Sequence, residues 1–385
     1  METWGEPAAA RLVGSLFAAD AGLARALTHG FHSYAGRMHP STARTAIAGL
    51  SKPRQRVLDP FCGSGTVLVE AMAFGRVAVG VYASPLAILI AKVRSTPLDE
   101  GACERLVLTA QEISAEAAER ARKRIRPTIP AWASREKERF SPHVALELLG
   151  LRELLSETGE DAVGYALRAC FSSILVKFMR QKEVPSEGEP GQRIGRGVPS
   201  RFFAGRAEEL ARSLAALVQK TPAGTPPPDI QLGDARKLSH LVDASFDLVL
   251  SSPPYAGTYD YADLHDVRFL WLGLPREDLD RRQVGARSEF LGSSEKRWQK
   301  DRRRWLGEIA RVVRPGGSVI LVIGDGVVGN QPEDAAEALR IEAPSAGLVL
   351  VARASQSRPP RDRRLTAIFA GHPRREHMIM LRRES

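Results

Sequence analysis

The most constraining feature of the chain is a short apolar strand that runs into a glycine turn and then into a helix. Arg56–Phe61 (RVLDPF) predicts the strand, Cys62–Thr66 (CGSGT) the turn, and the following VLVEAMAF a helix closed by Gly75. A second apolar strand, Val77–Val81, precedes another helix that starts at Pro85. Strands and helices that alternate in this way predict a parallel α/β sheet with right-handed crossovers.

The same pattern resumes near Ile230, where IQLGDA and FDLVLSS predict two further strands. A helix around 300–313 then leads into the strand SVILVIGD. Further elements are expected on the basis of their apolar spacing, namely a leading helix at 8–28 and short strands at 347–353, 365–370 and 377–382. The two blocks, residues 1–98 and 229–385, therefore predict one domain with a doubly wound, Rossmann-like sheet.

Residues 99–228 interrupt the sheet pattern with helical apolar spacing, which predicts a helical insertion. The candidate helices are Glu104–Arg126, Ser141–Leu155, Asp161–Arg180 and Glu208–Gln219. Within the insertion, residues 181–199 (QKEVPSEGEPGQRIGRGVP) are rich in glycine, proline and charge and predict a mobile loop. A second long loop is expected at about 275–297.

Several classes of protein are disfavoured by composition. The three cysteines stand far apart without a CxxC pair, so neither a disulfide framework nor a cysteine-built metal site is expected, and a reducing cytoplasm suits the chain. No apolar run approaches the roughly 20 residues of a membrane span, and the N-terminus lacks the pattern of a secretory signal. The glycine turn has neither the GxGxxG of dinucleotide sites nor the Gly-Lys-Ser/Thr of phosphate loops.

The charge balance favours a polyanionic partner. The chain carries 55 basic and 45 acidic residues, a net charge of +10. The surplus is concentrated in three windows, with 7 basic against 3 acidic residues at 177–206, 10 against 6 at 275–304 and 9 against 2 at 353–383. Arginine-rich coding alone can produce such a surplus, whereas nucleic acid would use it for phosphate contacts. The first two windows are expected to flank the ligand edge of the sheet.

A second motif, Ser251-Ser252-Pro253-Pro254-Tyr255, directly follows the strand FDLVL. Two consecutive prolines cannot continue a strand ladder, so the chain must turn at the carboxyl edge of the sheet. The free proline carbonyls, the hydroxyl of Ser252 and the ring of Tyr255 would form a slot for a planar amine.

Together, DPFCGSGT and SSPPY resemble the S-adenosylmethionine-dependent amino-methyltransferases of DNA, which methylate cytosine N4 or adenine N6. The Ser-Pro-Pro-Tyr form is most similar to the cytosine-N4 subgroup. The resemblance implies the class I methyltransferase fold and assigns cofactor contacts to the glycine turn, to the segment 31–40 (FHSYAGRMHP) and to GDA at 233–235. The implied cofactor-binding residues are Tyr34, Asp59, Pro60, Phe61, Gly63, Gly65, Thr66, Tyr82, Asp234 and Ala235.

The resemblance also implies the catalytic roles. Ser252 and the Pro253 carbonyl would hold the target amine, Pro254 would complete the turn, and Tyr255 would stack on a base flipped out of the helix. Acceptors placed out of the base plane would direct the nitrogen lone pair at the sulfonium methyl for in-line transfer without a metal. The insertion would help to recognise the target.

One position departs from the family pattern. The strand after the glycine turn normally ends in an acidic residue that binds the cofactor's ribose hydroxyls, and here Tyr82 stands there. A phenol cannot hold two hydroxyls as a carboxylate does. The sequence favours DNA as the partner but leaves open RNA, adenine N6 and a non-catalytic nucleic-acid-binding protein, as well as the oligomeric state. No metal and no membrane partner are expected.

Overall fold

The computed structural model describes residues 1–136, 138–180, 194–287, 295–360 and 363–384. The strands in chain order are β1 (Glu2–Gly5), β2 (Arg56–Asp59), β3 (Val77–Tyr82), β4 (Asp229–Leu232), β5 (Phe246–Ser251), β6 (Val313–Gly324), β7 (Gly326–Val328), β8 (Gln331–Glu333), β9 (Leu348–Ser357) and β10 (Arg375–Arg383). Eight of them form one sheet in the order β1-β9-β10-β6-β5-β2-β3-β4, and β7 pairs with β8 in a separate ribbon.

The centre of the large sheet is parallel. Strand β2 pairs in parallel with β3 on one side and β5 on the other, while β4 and β6 extend the sheet outward in parallel. Strand β10 is antiparallel to both β6 and β9. The chain order reverses between β2 and β5, and this is the point where doubly wound sheets bind ligands. The predicted doubly wound, Rossmann-like fold is confirmed.

Fourteen α-helices occur in the described residues. They are α1 (Pro7–Ser15), α2 (Pro40–Leu50), α3 (Thr66–Ala73), α4 (Pro85–Ser95), α5 (Glu100–Arg122), α6 (Pro142–Ser156), α7 (Ala162–Leu175), α8 (Val198–Lys220), α9 (Tyr261–Leu264), α10 (Asp266–Leu272), α11 (Arg276–Arg282), α12 (Glu295–Val312), α13 (Ala335–Glu342) and α14 (Arg363–Ile368). None of those helices has both the length and the apolar character that a membrane span requires.

Helices α5 to α8 lie in residues 99–228, which the sequence predicts to be an insertion, and they share one apolar core. Leu106, Leu148, Leu167 and Phe203, one from each helix, are fully buried in one apolar cluster. Trp271 of α10 and Phe31 join this cluster, so the insertion packs against segments that belong to the sheet domain. The insertion is thereby held beside the carboxyl edge of the sheet.

Two expectations about the C-terminal half are wrong. Residues 365–370 are not a strand, because most of them lie in α14, where Leu365 and Phe369 pack four residues apart against Val327. The expected loop at 275–297 contains α11 and the first turn of α12. Between those helices, residues 288–294 lie outside the described part of the chain.

Two expectations about the N-terminal half also need correction. The leading helix expected at 8–28 ends at Ser15, and an Asp20 side chain that accepts from the Gly22 amide (2.8 Å) holds a turn instead. Helix α8 begins at Val198, ten residues before the predicted start, after a left-handed Gly197. Of the predicted loop at 181–199, residues 181–193 lie outside the described residues.

Candidate active site

The glycine turn links β2 to α3 at the carboxyl edge of the sheet. Gly63 and Gly65 both have positive φ (+48° and +83°), which favours glycine over residues with a side chain. A Cβ at Gly65 would lie 3.0 Å from the Cβ of Ala91 on α4, so glycine also permits close packing of the turn on that helix. The turn therefore exposes its backbone toward the space above β2.

Asp59, the last residue of β2, joins this turn to the second motif. The hydroxyl of Ser251 donates to its Oδ1 (2.6 Å), and the amide of Phe61 donates to the same oxygen (3.2 Å). Burial raises the pKa of Asp59 to about 7, although both hydrogen bonds act in the opposite direction. The carboxyl ends of β2 and β5 are thus connected by a buried hydrogen bond between the two predicted motifs.

One pocket opens above this pair of strands, and most predicted site residues line it. These are Tyr34, Asp59, Pro60, Phe61, Gly63, Thr66, Tyr82, Asp234, Ala235, Ser252 and Pro254. Gly65, Pro253 and Tyr255 are not among its lining residues. The two motifs and the preceding segment, which are about 200 residues apart in sequence, therefore converge on one cavity.

Two polar atoms in this pocket lack a partner within the protein. The hydroxyls of Tyr34 and Thr66 are buried, and neither has a hydrogen-bond partner. Such buried orphan groups are rare in folded proteins, because an unmade hydrogen bond costs about 1–3 kcal/mol. They suit a polar ligand, and the lining of aromatic, glycine and carboxyl groups fits a nucleoside with an amino-acid tail such as S-adenosylmethionine.

Tyr34 is positioned by a histidine that lies outside the pocket lining. Its ring stacks on His265, with centroids 4.3 Å apart, and burial raises the pKa of Tyr34 to about 12. Burial and the neighbouring Arg268 lower the pKa of His265 to about 3, so this imidazole is uncharged at neutral pH. His265 therefore supports the pocket as a neutral stacking partner.

Tyr82 occupies the place where the family pattern has an acidic residue. It lines the pocket at the end of β3, and burial together with Tyr34 and Tyr261 raises its pKa well above the usual range. Asp59 and Asp234 are the carboxylates among the pocket's described lining residues. The wall beside β3 is thus phenolic, and a ribose there would meet hydroxyl groups in place of a carboxylate.

Asp234 follows β4 and is held by a charged neighbour. Its carboxylate accepts two hydrogen bonds from the Arg236 guanidinium, Nε to Oδ1 (3.0 Å) and Nη2 to Oδ2 (2.7 Å). Arg236 in turn contacts Asp301 of α12 at 2.8 Å. The orientation of Asp234 at the pocket rim is therefore fixed from helix α12.

Tyr255 lies behind the pocket lining. Its hydroxyl donates to Glu376 Oε1 (2.9 Å), and its ring lies against Gly324, where a Cβ would approach ring atom Cε2 to 2.6 Å. Gly324 and Glu376 are directly paired across β6 and β10. Neither residue was predicted from the sequence. The glycine of the GD pair that ends the strand SVILVIGD was the available signal for Gly324.

A buried charged cluster beneath the glycine turn was also missed. Arg94 of α4 is fully buried and donates from Nη1 to the Ser64 carbonyl (2.5 Å) and from Nε to the Thr28 carbonyl (3.0 Å). Its Nη2 contacts His29 Nδ1 (2.9 Å), and His29 Nε2 meets Glu70 (2.8 Å). Burial lowers the pKa of His29 to about 4, so the ring is neutral. Arg94 therefore anchors the turn from below.

One group of potential metal ligands stands apart from the pocket. Ligand atoms of Asp325, Asp334 and His377 lie within 4.8 Å of one another. His377 already contacts Ser355 through Nδ1 (2.8 Å) and Asp325 through Nε2 (2.9 Å), and Arg375 contacts Asp334 at 2.9 Å. The charges of this group are therefore compensated within the protein, and the Arg375 guanidinium supplies the positive charge that a metal ion would bring.

Comparison with known proteins finds one family model, which matches the part of the chain around the glycine turn, and two partial relatives. Residues 29–92 match the N6/N4 methyltransferase family model, which is described as DNA methylase. The type II methyltransferase M.MvaI of Kocuria varians is 36% identical over 84 residues, which are 21% of this chain and 18% of that protein. M.MjaII of Methanocaldococcus jannaschii is 32% identical over 80 residues, 21% of this chain and 15% of that protein. The matches thus span less than a fifth of either relative.

Solved structures of methyltransferases resemble this chain only at low TM-scores. The rRNA methyltransferase aviRa of Streptomyces viridochromogenes has a TM-score of 0.39 and 12% identity, covering 95% of this chain and 94% of that one. A SAM-dependent methyltransferase of Methanosarcina mazei has a TM-score of 0.35 and 11% identity, covering 88% and 96%. These values carry no argument about activity. Residues 29–92, which contain the glycine turn and the segment before it, thus match the DNA methylase family model, and the resemblance drawn from the sequence is confirmed over this stretch.

Proposed function

We propose that this chain transfers the methyl group of S-adenosylmethionine to an exocyclic amine of a DNA base, with the N4 amine of cytosine as the target. The observation that carries the proposal is the convergence of Ser252 and Pro254 with the DPFCGSGT turn on one pocket. A pocket built from both motifs brings a cofactor and an amine within reach of each other. The match of residues 29–92 to the DNA methylases supports DNA as the substrate.

The cofactor supplies an electrophilic methyl group on a sulfonium. Gly63 and Gly65 would let the turn backbone approach the cofactor, and the unpartnered hydroxyls of Tyr34 and Thr66 would donate hydrogen bonds to its polar groups. Asp59, whose pKa is raised to about 7, becomes ionised when a cationic group lies nearby. Asp234 accepts from the adenine amine at the far end of the pocket.

The Ser-Pro-Pro-Tyr turn holds the amine. Proline nitrogens carry no proton, so the carbonyls in this turn accept hydrogen bonds from the target amine without competing donors of their own. Ser252 adds a hydroxyl at the pocket wall. These acceptors would draw the amine protons out of the base plane and free the lone pair for in-line attack on the methyl group. As the N–C bond forms, the C–S bond breaks and S-adenosylhomocysteine leaves, and the methylated amine then loses one proton to water. Most of the rate would come from positioning and fixed dipoles.

The insertion contributes to target recognition in this proposal. Lys177, Arg201, Phe202 and Arg206 line an open groove beside Gly30, Phe31 and Ser33, and Glu209 of the same groove pairs with Arg206. The Phe202 side chain is 40% exposed, and Lys177 Nζ lies 4.3 Å from its ring centre. An exposed aromatic ring among cations suits contact with nucleotides next to the flipped base.

The test is to express the chain in a host free of DNA methylation and to sequence the host DNA for N4-methylcytosine and N6-methyladenine. We expect modified cytosine in a short sequence context, and none with the Ser252→Ala variant. Detection of N6-methyladenine instead would support methyl transfer to DNA and would contradict cytosine as the target base. Unmodified DNA together with methylated tRNA or rRNA would contradict the DNA assignment.

The control is cofactor binding, measured by calorimetric titration with S-adenosylmethionine. Because Ser252 lies on the amine side, its alanine variant should bind the cofactor within about twofold of the wild type. Loss of binding in that variant would contradict the assigned role. A wild-type protein that gives neither heat nor a thermal shift with the cofactor would be a non-catalytic relative.

A further inference from the structure

Helix α12 forms one wall behind the pocket. Trp305 packs edge-on against Phe61 of the glycine turn, with centroids 5.7 Å apart. Trp298, close to the start of the helix, lies against Gly285. Gly285 also lies next to Pro254 of the Ser-Pro-Pro-Tyr segment. Asp301 between them pairs with Arg236 at the pocket rim. The inner face of α12 is therefore in contact with both halves of the proposed site.

The outer face of the same helix is cationic. Lys296, Lys300, Arg303 and Arg304, here called the α12 stripe, are exposed and line one shallow groove together with Gln299. Their spacing of three, four and seven residues places them on one side of a helix. The stripe spans nine residues, and its eight steps of 1.5 Å give a length of about 12 Å.

These charges have little compensation. In the described part of the chain, Lys296 and Lys300 have no carboxylate within 4.0 Å, while Arg303 and Arg304 stand 4.0 Å from Glu342 and 3.9 Å from Asp301. Both of those carboxylates are already held at shorter distance, by Arg302 (2.9 Å) and Arg236 (2.8 Å) respectively. Arg302, which lies between the stripe residues in sequence, is buried and does not belong to the stripe.

The most basic window of the sequence behaves differently. Within residues 353–383, Arg358 pairs with Glu376 (3.0 Å), Arg375 with Asp334 (2.9 Å) and Arg382 with Glu6 (3.6 Å). Arg383 donates to the carbonyl of Val313 (2.6 Å). Much of this window's charge is thus used within the fold, and the window's net charge does not mark a binding surface.

We propose that the α12 stripe binds the phosphate backbone of duplex DNA next to the flipped target base. The inference rests on the proposed function, because it takes its partner from there. Phosphates on one strand follow each other at about 3.4 Å along the helix axis, so a stripe of about 12 Å can contact several in succession. Because α12 also contacts both the turn and the pocket rim, a strand held on its outer face is fixed in position relative to the amine-binding slot.

The test replaces the four cations with glutamine, a good helix former, as K296Q/K300Q/R303Q/R304Q. The matched control is K52Q/R54Q/K92Q/K220Q, four exposed cations that lie toward the amino-terminal edge of the sheet and have no ion pair among the described residues. Binding of a fluorescent 30-base-pair duplex, in the presence of S-adenosylmethionine, is measured by anisotropy across roughly 50–200 mM salt. Circular dichroism and cofactor titration check that both variants remain folded.

Each phosphate contact contributes about −0.9 to the slope of log affinity against log salt, so loss of all four should reduce the slope by up to about 3.6. We expect the stripe variant to bind at least tenfold more weakly at the low-salt end, and the control to keep the wild-type slope. Equal slopes in the stripe variant and the wild type would overturn the inference. Stripe-dependent binding that is tighter to RNA of the same sequence would overturn the choice of DNA.

The two proposals can fail separately. If the wild-type protein methylates DNA but the stripe variant keeps the wild-type salt slope, the proposed function holds and the phosphate-binding role of the α12 stripe is contradicted. If the protein binds duplex DNA through the α12 stripe but modifies no base, the DNA-binding role of the stripe holds and the proposed methyl transfer is contradicted.

Discussion

The contact between Tyr255 and Gly324 gives the sharpest test of the proposed amine-binding turn. In Gly324→Ala, the added Cβ would lie 2.6 Å from Cε2 and 2.7 Å from Cδ2 of the tyrosine ring. Ordinary carbon contacts are about 3.5–4.0 Å, so the ring must move by about 1 Å. The ring has little freedom to do so, because its hydroxyl is bound to Glu376 at 2.9 Å.

The size of the effect follows from this geometry. Overpacking a fitted contact costs about 1–3 kcal/mol, so the free energy of unfolding should fall by that amount. A displacement of about 1 Å at a group that positions substrate can cost about 10²-fold in rate. The affinity for S-adenosylmethionine should stay within about twofold, because neither residue lines the pocket.

The assay combines urea unfolding, cofactor calorimetry and single-turnover methylation of DNA from the methylation-free host. Gly307→Ala is the matched control, since a Cβ at that helical position meets no atom within 4 Å. It should leave turnover unchanged. If the folded Gly324→Ala protein has wild-type turnover, the position of the Tyr255 ring does not matter for methyl transfer. If the variant loses only affinity for the cofactor, Tyr255 supports the cofactor side of the site and not the amine side.

Three further predictions concern the pocket and its support. The pKa of Asp59 rises from 3.8 to about 7 on folding, so the folded state binds the proton more tightly and stability falls as pH rises between these values. Asp59→Asn should remove up to about 4 kcal/mol of this pH dependence in urea unfolding, and parallel pH profiles would contradict it. Arg94→Lys keeps the charge, but one ammonium nitrogen cannot take the three separate positions from which the guanidinium nitrogens contact Thr28, Ser64 and His29. We expect a loss of about 2–5 kcal/mol in the same assay, whereas a loss below about 1 kcal/mol would show that the anchor is dispensable. Tyr34→Phe removes an unpartnered hydroxyl, so thermal stability should hold while cofactor affinity falls about five- to tenfold; unchanged affinity would exclude the hydroxyl from binding.

The sheet could be predicted because its signals are local. The strand before Cys62, the glycines of the turn and the double proline after Ser252 each force a backbone geometry that depends on few neighbours. The convergence of the motifs then follows from the parallel order of the strands. Helix α14 was not predicted because the apolar residues of 365–370 suit either a strand or a helix, and packing against Val327 decides between them.

The supporting residues could not be predicted for a different reason. Arg94, Gly324 and Glu376 act through partners that are between 30 and 121 positions away, such as Ser64 for the arginine and Tyr255 for the glutamate. Nothing in the local sequence distinguishes a buried arginine from an exposed one in an arginine-rich chain. The net charge was ambiguous for the same reason, because the sequence does not show which basic residues are exposed and unpaired. Only burial and ion pairing distinguish the α12 stripe from the paired arginines near the C-terminus.

The cover of the pocket has a consequence for the timing of the reaction. Residues 31–38 meet α9 so closely that a Cβ at Gly36 would lie 2.6 Å from the hydroxyl oxygen of Tyr261. We expect a cofactor bound in the pocket to leave only when these two segments separate. The spent cofactor, S-adenosylhomocysteine, would then be retained after transfer, and separation of the segments would limit repeated turnover. A rapid first turnover followed by a slower steady state is the kinetic form expected of such a cover.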